Sequence, residues 1–402
     1  PRHFSLYGNR ITADQDRKAL EWQQMFVTKF HHDPNEQYVL SVHDNPALGD
    51  VLGIRDIRRD DQGDEIDREN GVVISTIRMG YGHYRIAMAG ASAARSMGYT
   101  PYWLDLLAIP GITRDAINWW NTNYSKYSRV SQRSALFDKY VWESVTSGDT
   151  TLPGLNWWLN NTAIGWPWRF LKANARDYRK SELFANLHRA LPSDMPILTA
   201  HMWNCMGAVA GGMTNVVDMM FVNWPMAFQL TEGATHAVQS PSGYYGFRIM
   251  NQFDEDDRIL NPTPADAIEY VGHHVDHELV ENIEVDCASR LDRMRRGEPR
   301  RFLLTMGGAG AQRDLFKAII DHCRPMIDRG DVTLMVILGD HADNWQWLAA
   351  ELCSAAASVQ THFWWEDTKG LADEIRDGTA SGLHVFLFDN TFHGVYATNY
   401  LM

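Results

Sequence analysis

The stretch Gly71–Asp105, GVVISTIRMGYGHYRIAMAGASAARSMGYTPYWLD, reads as strand, glycine loop, helix and strand. Val72–Ile77 is a short β-branched run, as a strand buried on both faces requires. Gly80 and Gly82 bracket a tight turn, and glycine leaves no Cβ between backbone and ligand. His83 opens an alanine-rich helix. The positive end of a helix favours the neutral imidazole, which accepts a proton at neutral pH. Short glycine motifs are widespread, so capping or packing competes with proton transfer as the role of His83.

A second unit of the same kind lies far along the chain. Arg301–Met306 (RFLLTM) is a strand, Gly307–Gln312 (GGAGAQ) a glycine loop, and Arg313–Asp328 a helix with Leu315, Phe316, Ile319 and Ile320 on one face. Asp331–Leu338 (DVTLMVIL) is the next strand, ending at Gly339-Asp340. Open α/β sheets bind ligands outside the carboxyl ends of their strands, where such loops lie. Two units of this kind predict an α/β chain with two Rossmann-like domains facing each other across a cleft.

The pairing of RMGYGH with MGGAGAQ resembles the two-domain GT-B glycosyltransferases. The similarity is to the branch holding monogalactosyldiacylglycerol synthase and the peptidoglycan N-acetylglucosaminyltransferase. VVDMMFVNWP (Val216–Pro225) and HAVQSPSGYYGFRI (His236–Ile249) resemble that branch's intervening strand and its next strand and helix. The resemblance spans Gly71–Met402. It implies inverting transfer of a sugar from a nucleoside-diphosphate donor, a UDP-sugar, to a hydroxyl acceptor that can be lipid-linked. It implies His83 as the base or the group that orients the acceptor, Asp218 as a residue orienting His83 or the acceptor, and Gly80 and Gly82 as the acceptor loop. Gly307, Gly308, Ala309, Gly310 and Gln312 would hold the diphosphate. Gly339, Asp340 and Phe388 would lie near the nucleotide base. No metal and no cofactor beyond the sugar nucleotide is required.

The chain also departs from that branch. Arg78, Met79 and Tyr81 interrupt the glycine run before the histidine. After VFLFDNTFHGVYATNYLM the family's next strand, with its glycine/alanine loop and acidic residue, does not follow, so the C-terminal domain is expected to be incomplete. A non-catalytic GT-B-like assembly or scaffold protein, and a nucleotide-sugar 2-epimerase-like enzyme, therefore stay open beside the transferase.

At 402 residues the chain is long enough for two or three domains. A net charge of −13 argues against nucleic acid as a partner, since phosphate binding needs clustered Lys and Arg. Four cysteines without a C-x-x-C pair argue against a zinc ribbon or disulfide framework and for a reducing, cytoplasmic setting. No leader pattern and no bilayer-length apolar run is present. Peripheral membrane contact and a homo-oligomer stay open.

The expected organisation is an N-terminal extension over 1–70, an acceptor-side domain over 71–250, a connection over 251–298 and a partial donor domain over 299–402. Thr12–Phe30 reads as a helix and Arg55–Asn70 as a charged, solvated arm. The MRRGEPR segment reads as an exposed helix stop. Fifteen tryptophans cluster, most densely in Leu155–Lys172 (LNWWLNNTAIGWPWRFLK). A lid for an apolar acceptor is one reading of them; core packing, the commoner fate of large aromatics, is the other. On a continuous helix His273, His277 and Glu281 would share a face with metal-ligand spacing, though a polar connecting helix explains them as well.

Overall fold

The computed structural model describes residues 5–11, 13–78, 81–138, 181–220, 225–251, 253, 260–307, 310, 312–339, 341–352 and 359–387. The chain divides into two units, residues 1–78 with 86–276 and residues 79–85 with 277–402.

The first unit is built on eight strands: β3 (Ser41–Asp44), β4 (Arg55–Arg58), β5 (Gly71–Thr76), β6 (Thr100–Asp105), β7 (Ile197–Thr199), β8 (Val216–Met219), β9 (Thr235–Val238) and β10 (Ile268–Tyr270). A small antiparallel pair, β1 (Ser5–Leu6) and β2 (Asn9–Arg10), precedes them. The sheet order is β10-β9-β8-β7-β5-β6-β4-β3, parallel except for the terminal β3–β4 pair. The charged segment Arg55–Asn70 thus opens with a sheet strand rather than a solvated arm, and the region before Gly71 supplies two strands to this sheet besides the β1–β2 pair. Ile54 and Ile57 anchor β4 in the core, while Arg55 turns outward to Asp64 at 2.6 Å. Near a sheet end, a strand needs only a short apolar face, so charge dominates its composition.

The helices follow from their apolar spacing. The longer ones are α1 (Ala13–Lys29), α2 (Tyr81–Ser96), α3 (Ile112–Arg133), α4 (Ser181–Arg189), α5 (Met202–Ala210) and α6 (Pro241–Arg248). Helix α2 buries Ala87, Met88, Ala91 and Ala94. These small residues bring it close to the sheet. A Cβ at Gly90 would stand 3.0 Å from Met219 Cε, so glycine sets the approach. Helix α6 starts where Ser240 Oγ accepts the Gly243 N–H and Pro241 occupies the first turn. Trp119 and Trp120 pack edge to face, Phe26 joins Trp119, and Trp120 meets Trp203. These tryptophans are packing residues; Leu155–Lys172 lies outside the described residues.

The second unit opens with α7 (His277–Glu281) and α8 (Ile283–Arg296). Helix α8 ends at Gly297 in the left-handed region (φ 71°), whose N–H returns to the Arg293 and Met294 carbonyls. A four-stranded parallel sheet follows in the order β11 (Arg300–Thr305), β12 (Val332–Ile337), β14 (Gly382–Phe386) and β13 (Val359–His362). Helices α9 (Arg313–Asp328), α10 (Ala342–Leu352) and α11 (Trp365–Arg376) connect them. Every residue of β12 is buried. Leu334 and Val336 face a core with Phe316, Ile320 and Leu348; Met335 and Ile337 face one with Leu371 and Ile375. The buried face of α9 is Phe316, Ile320 and Cys323, and Leu315 is exposed, a rotation from the expected stripe.

His362 and His384 meet inside this sheet. His384 Nε2 donates to the Ser381 carbonyl, so its Nδ1 accepts from His362 Nε2 at 3.0 Å. Protonating His384 Nδ1 would set two N–H groups head to head. Burial lowers the His384 pKa from 6.5 to about 4, and fully buried His188 is lowered likewise to about 4. The unfolded chain takes up these protons below about pH 6.5 and the folded chain only near pH 4. Each imidazole therefore stabilises the fold above pH 6.5, and that stability drains as pH falls from 6.5 to 4, by up to about 3 kcal/mol per group. Urea unfolding across that window checks this: His384→Gln should flatten the pH dependence relative to the parent, and parallel curves would refute it.

Candidate functional site

In the larger sheet the chain runs from β5 to β6 on one side, then returns to place β7 on the other. This reversal is a topological switch point, the place where open α/β sheets bind ligands. The loop after β5 leads into α2, and the loop after β7 leads into α5. His83 is the third residue of α2 and is half-buried. Gly82 also lies inside α2, rather than closing a turn. A Cβ there would meet nothing within 4 Å, so open space surrounds it. Gly80 lies outside the described residues.

His201 caps α5: its Nδ1 accepts the Trp203 N–H at 3.1 Å, and its ring meets the Trp203 ring edge to face. Behind it runs a polar row. Ser75, Thr199, Asp218 and His236 are register partners on β5, β7, β8 and β9, so their side chains share one face of the sheet. All four are buried. Asn204 Nδ2 of α5 donates to Ser75 Oγ at 2.7 Å, and Thr199 Oγ1 donates to Asp218 Oδ1 at 2.9 Å. Asp218 thus sits within the core, hydrogen-bonded to Thr199. That placement gives it a structural partner in its own sheet and no exposed oxygen to offer an acceptor.

Burial raises the Asp218 carboxyl from 3.8 to about 7, against the lowering effect of Thr199. Its Oδ2 has no partner among the described residues. Burial, then the nearby Asp218, pushes the Cys205 thiol well above its usual range. Cys205, Asp218 and His236 bring their ligand-type atoms within 4.8 Å of one another, a trio with metal-binding chemistry. The imidazole is already engaged on both sides, however. His236 Nε2 accepts the Thr231 N–H at 3.0 Å, and Nδ1 donates to the Ala267 carbonyl at 3.0 Å. No lone pair is left for a metal without breaking the Thr231 bond. The trio expected from sequence does not form one face: α7 begins only at His277, which pairs with Glu281 at 3.2 Å, and His273 turns to Gln239 at 3.3 Å.

In the second unit the loop after β11 is tightly held. Gly310 has φ 65°, and a Cβ there would stand 2.7 Å from the His341 ring. Its carbonyl accepts from Asn344 Nδ2 at 2.8 Å, and its N–H closes back on the Gly307 carbonyl at 2.9 Å. The Gly310 amide is thus already bonded within the loop. Gln312 precedes α9 in the left-handed region (φ 68°) with no side-chain cap, leaving the first amides of α9 without one. A Cβ on Gly307 would meet nothing within 4 Å. The Arg313 guanidinium lies over the Trp347 ring at 4.7 Å. Gly339, at φ 65°, follows β12 at the same sheet end. Gly308, Ala309, Asp340 and Phe388 lie outside the described residues.

The fold defines a two-unit α/β protein with a Rossmann-like sheet in each unit. Residues 5–249 match the family described as Domain of unknown function (DUF6937), more than half of the chain, and the protein belongs to that family. Residues 263–402 match a second description, Domain of unknown function (DUF6938). No curated protein and no solved structure matches the chain. Among the described residues, no helix is long and apolar enough to cross a membrane.

His201, Asn204, Cys205 and His236 escaped the sequence reading, because only strand register brings them beside Ser75 and Asp218. The row carries a prediction with a definite sign. Asp218 has a folded pKa raised above its unfolded value, so its contribution is full below about pH 3.8 and is lost as pH rises towards 7. Asp218→Asn removes that loss. Its stability relative to the parent should climb between pH 5 and pH 8, measured by urea unfolding; a constant offset would show that Asp218 does not titrate in this range.

Proposed function

We propose that the protein is a nucleotide-sugar-dependent glycosyltransferase of the inverting GT-B type. The observation that carries this reading is the β11–α9 loop. A left-handed Gly310 held by Asn344, an open Gly307 and a helix N-terminus that the Gln312 side chain does not cap support a diphosphate at this loop. The location of His83, in the first turn of α2 after a strand at the switch point, supports it as the group that meets the acceptor. In this mechanism the imidazole takes the proton of the acceptor hydroxyl. The oxygen attacks the anomeric carbon as the bond to the nucleoside diphosphate breaks. The amides at the start of α9 stabilise the leaving diphosphate without a metal. The sugar, most simply carried by uridine diphosphate, and an apolar acceptor are carried over from the sequence resemblance.

Calorimetric titration of uridine diphosphate tests the donor end. Gly307→Val should abolish binding and leave unfolding unchanged, because its Cβ meets only open space. Gly310→Ala should instead destabilise the unit by about 1–3 kcal/mol, through its left-handed φ and the His341 ring. No binding by the parent at about 1 mM ligand, the level of a weak complex, would sink the transferase reading. At the acceptor end, His83→Ala should lower turnover by roughly a hundredfold or more while nucleotide binding persists. Unchanged turnover would remove His83 from the chemistry.

A further inference from the structure

We propose that the α7–α8 segment is an antiparallel homodimerisation seam, with a two-fold axis passing beside Cys287. This is independent of the transferase reading.

The segment is two consecutive helices whose apolar side chains stand exposed among the described residues. The Asn282 N–H reaches the Glu278 carbonyl and the Asp286 N–H reaches the Asn282 carbonyl, so α8 follows α7 after the single turn residue Asn282. Neither helix has a buried residue. Val280, Ile283, Cys287, Leu291 and Met294 recur at steps of three and four, the spacing of a single helix face. Val280 is 55% exposed, Ile283 50%, Leu291 51% and Met294 73%, and Cys287 is a free, exposed thiol. From Val280 to Met294 the stripe runs about 21 Å at helical rise.

Charge identifies the occupant as a second copy. The first half carries Glu278, Glu281, Glu284 and Asp286; the second carries Arg290, Arg293, Arg295 and Arg296 against Asp292 alone. This polarity suits the helix dipole within one chain. It also makes the helix complementary to itself turned end over end, as a two-fold interface requires. An antiparallel partner lays acidic half along basic half and brings Val280 to Met294 and Ile283 to Leu291. A parallel partner would set acid on acid and arginine on arginine. An anionic membrane would attract one half and repel the other. Cys287 is midway between Val280 and Met294 in sequence, so only there does the seam meet its own copy.

Sedimentation of the full chain, over a concentration range reaching about 100 µM to capture a seam of modest area, should give a monomer–dimer equilibrium. Ile283→Glu with Leu291→Glu should give monomer throughout, with unchanged circular dichroism. A short bis-maleimide should link the parent through Cys287, and Cys287→Ser should lose the link. Register is read in the Cys287→Ser background: Val280→Cys mixed with Met294→Cys should link, and Val280→Cys alone should not. A parent that stays monomeric at the highest concentration overturns the proposal. So does a dimer untouched by the double glutamate variant, or Val280→Cys linking to itself. Should the double variant misfold, the cysteine pattern alone decides.

Discussion

Both units depend on one constraint, the burial of parallel strands on two faces. β5 and β12 are each six residues long and buried throughout. A strand covered by helices on both sides cannot alternate polar with apolar, so its side chains must be hydrophobic or small and paired. β12 meets this with Leu334 and Val336 on one side and Met335 and Ile337 on the other. Polar chemistry is thereby displaced to the strand ends. At the carboxyl ends the chain turns into helix N-termini, and the glycine loops of this protein lie there.

In the first unit the row Ser75–Thr199–Asp218–His236 departs from that apolar interior. Parallel register stacks the four side chains on one face, and α5 closes over them with Asn204 and Cys205. Such groups are tolerated in a core when they bond to one another and stay uncharged. His236 is satisfied on both nitrogens and Thr199 serves Asp218. Asp218, whose Oδ2 has no partner among the described residues, carries a carboxyl pushed up to about 7, which lets it hold its proton below that pH and avoid a bare charge. Its role is therefore continuous with the sheet itself.

The α7–α8 segment inverts this economy. Its polar residues are segregated by sign along the axis, and its apolar residues face outward. In a single chain that exposes hydrophobic area without a partner, which isolated helices of this length do not sustain on propensity alone. The second copy proposed above would restore the balance.

What the sequence by itself determined was local. Strand–loop–helix units at Gly71–Asp105 and Arg301–Leu338 were legible because burial on two faces imposes long apolar runs, and glycine marks where backbone must bend or stand clear. The stop at Gly297 was legible for the same reason, since a left-handed C-cap favours glycine. Tertiary structure alone decided the rest. Strand pairing put the charged Arg55–Arg58 segment into the sheet, drew Asp218 into the core, and gathered Ser75, Thr199 and His236 from distant positions into one row. It also rotated α9 so that Leu315 faces out, and bonded the Gly310 amide within its loop. Local propensity acts over a few residues, whereas register and helix rotation are set by what lies across the sheet, and no short-range pattern encodes that.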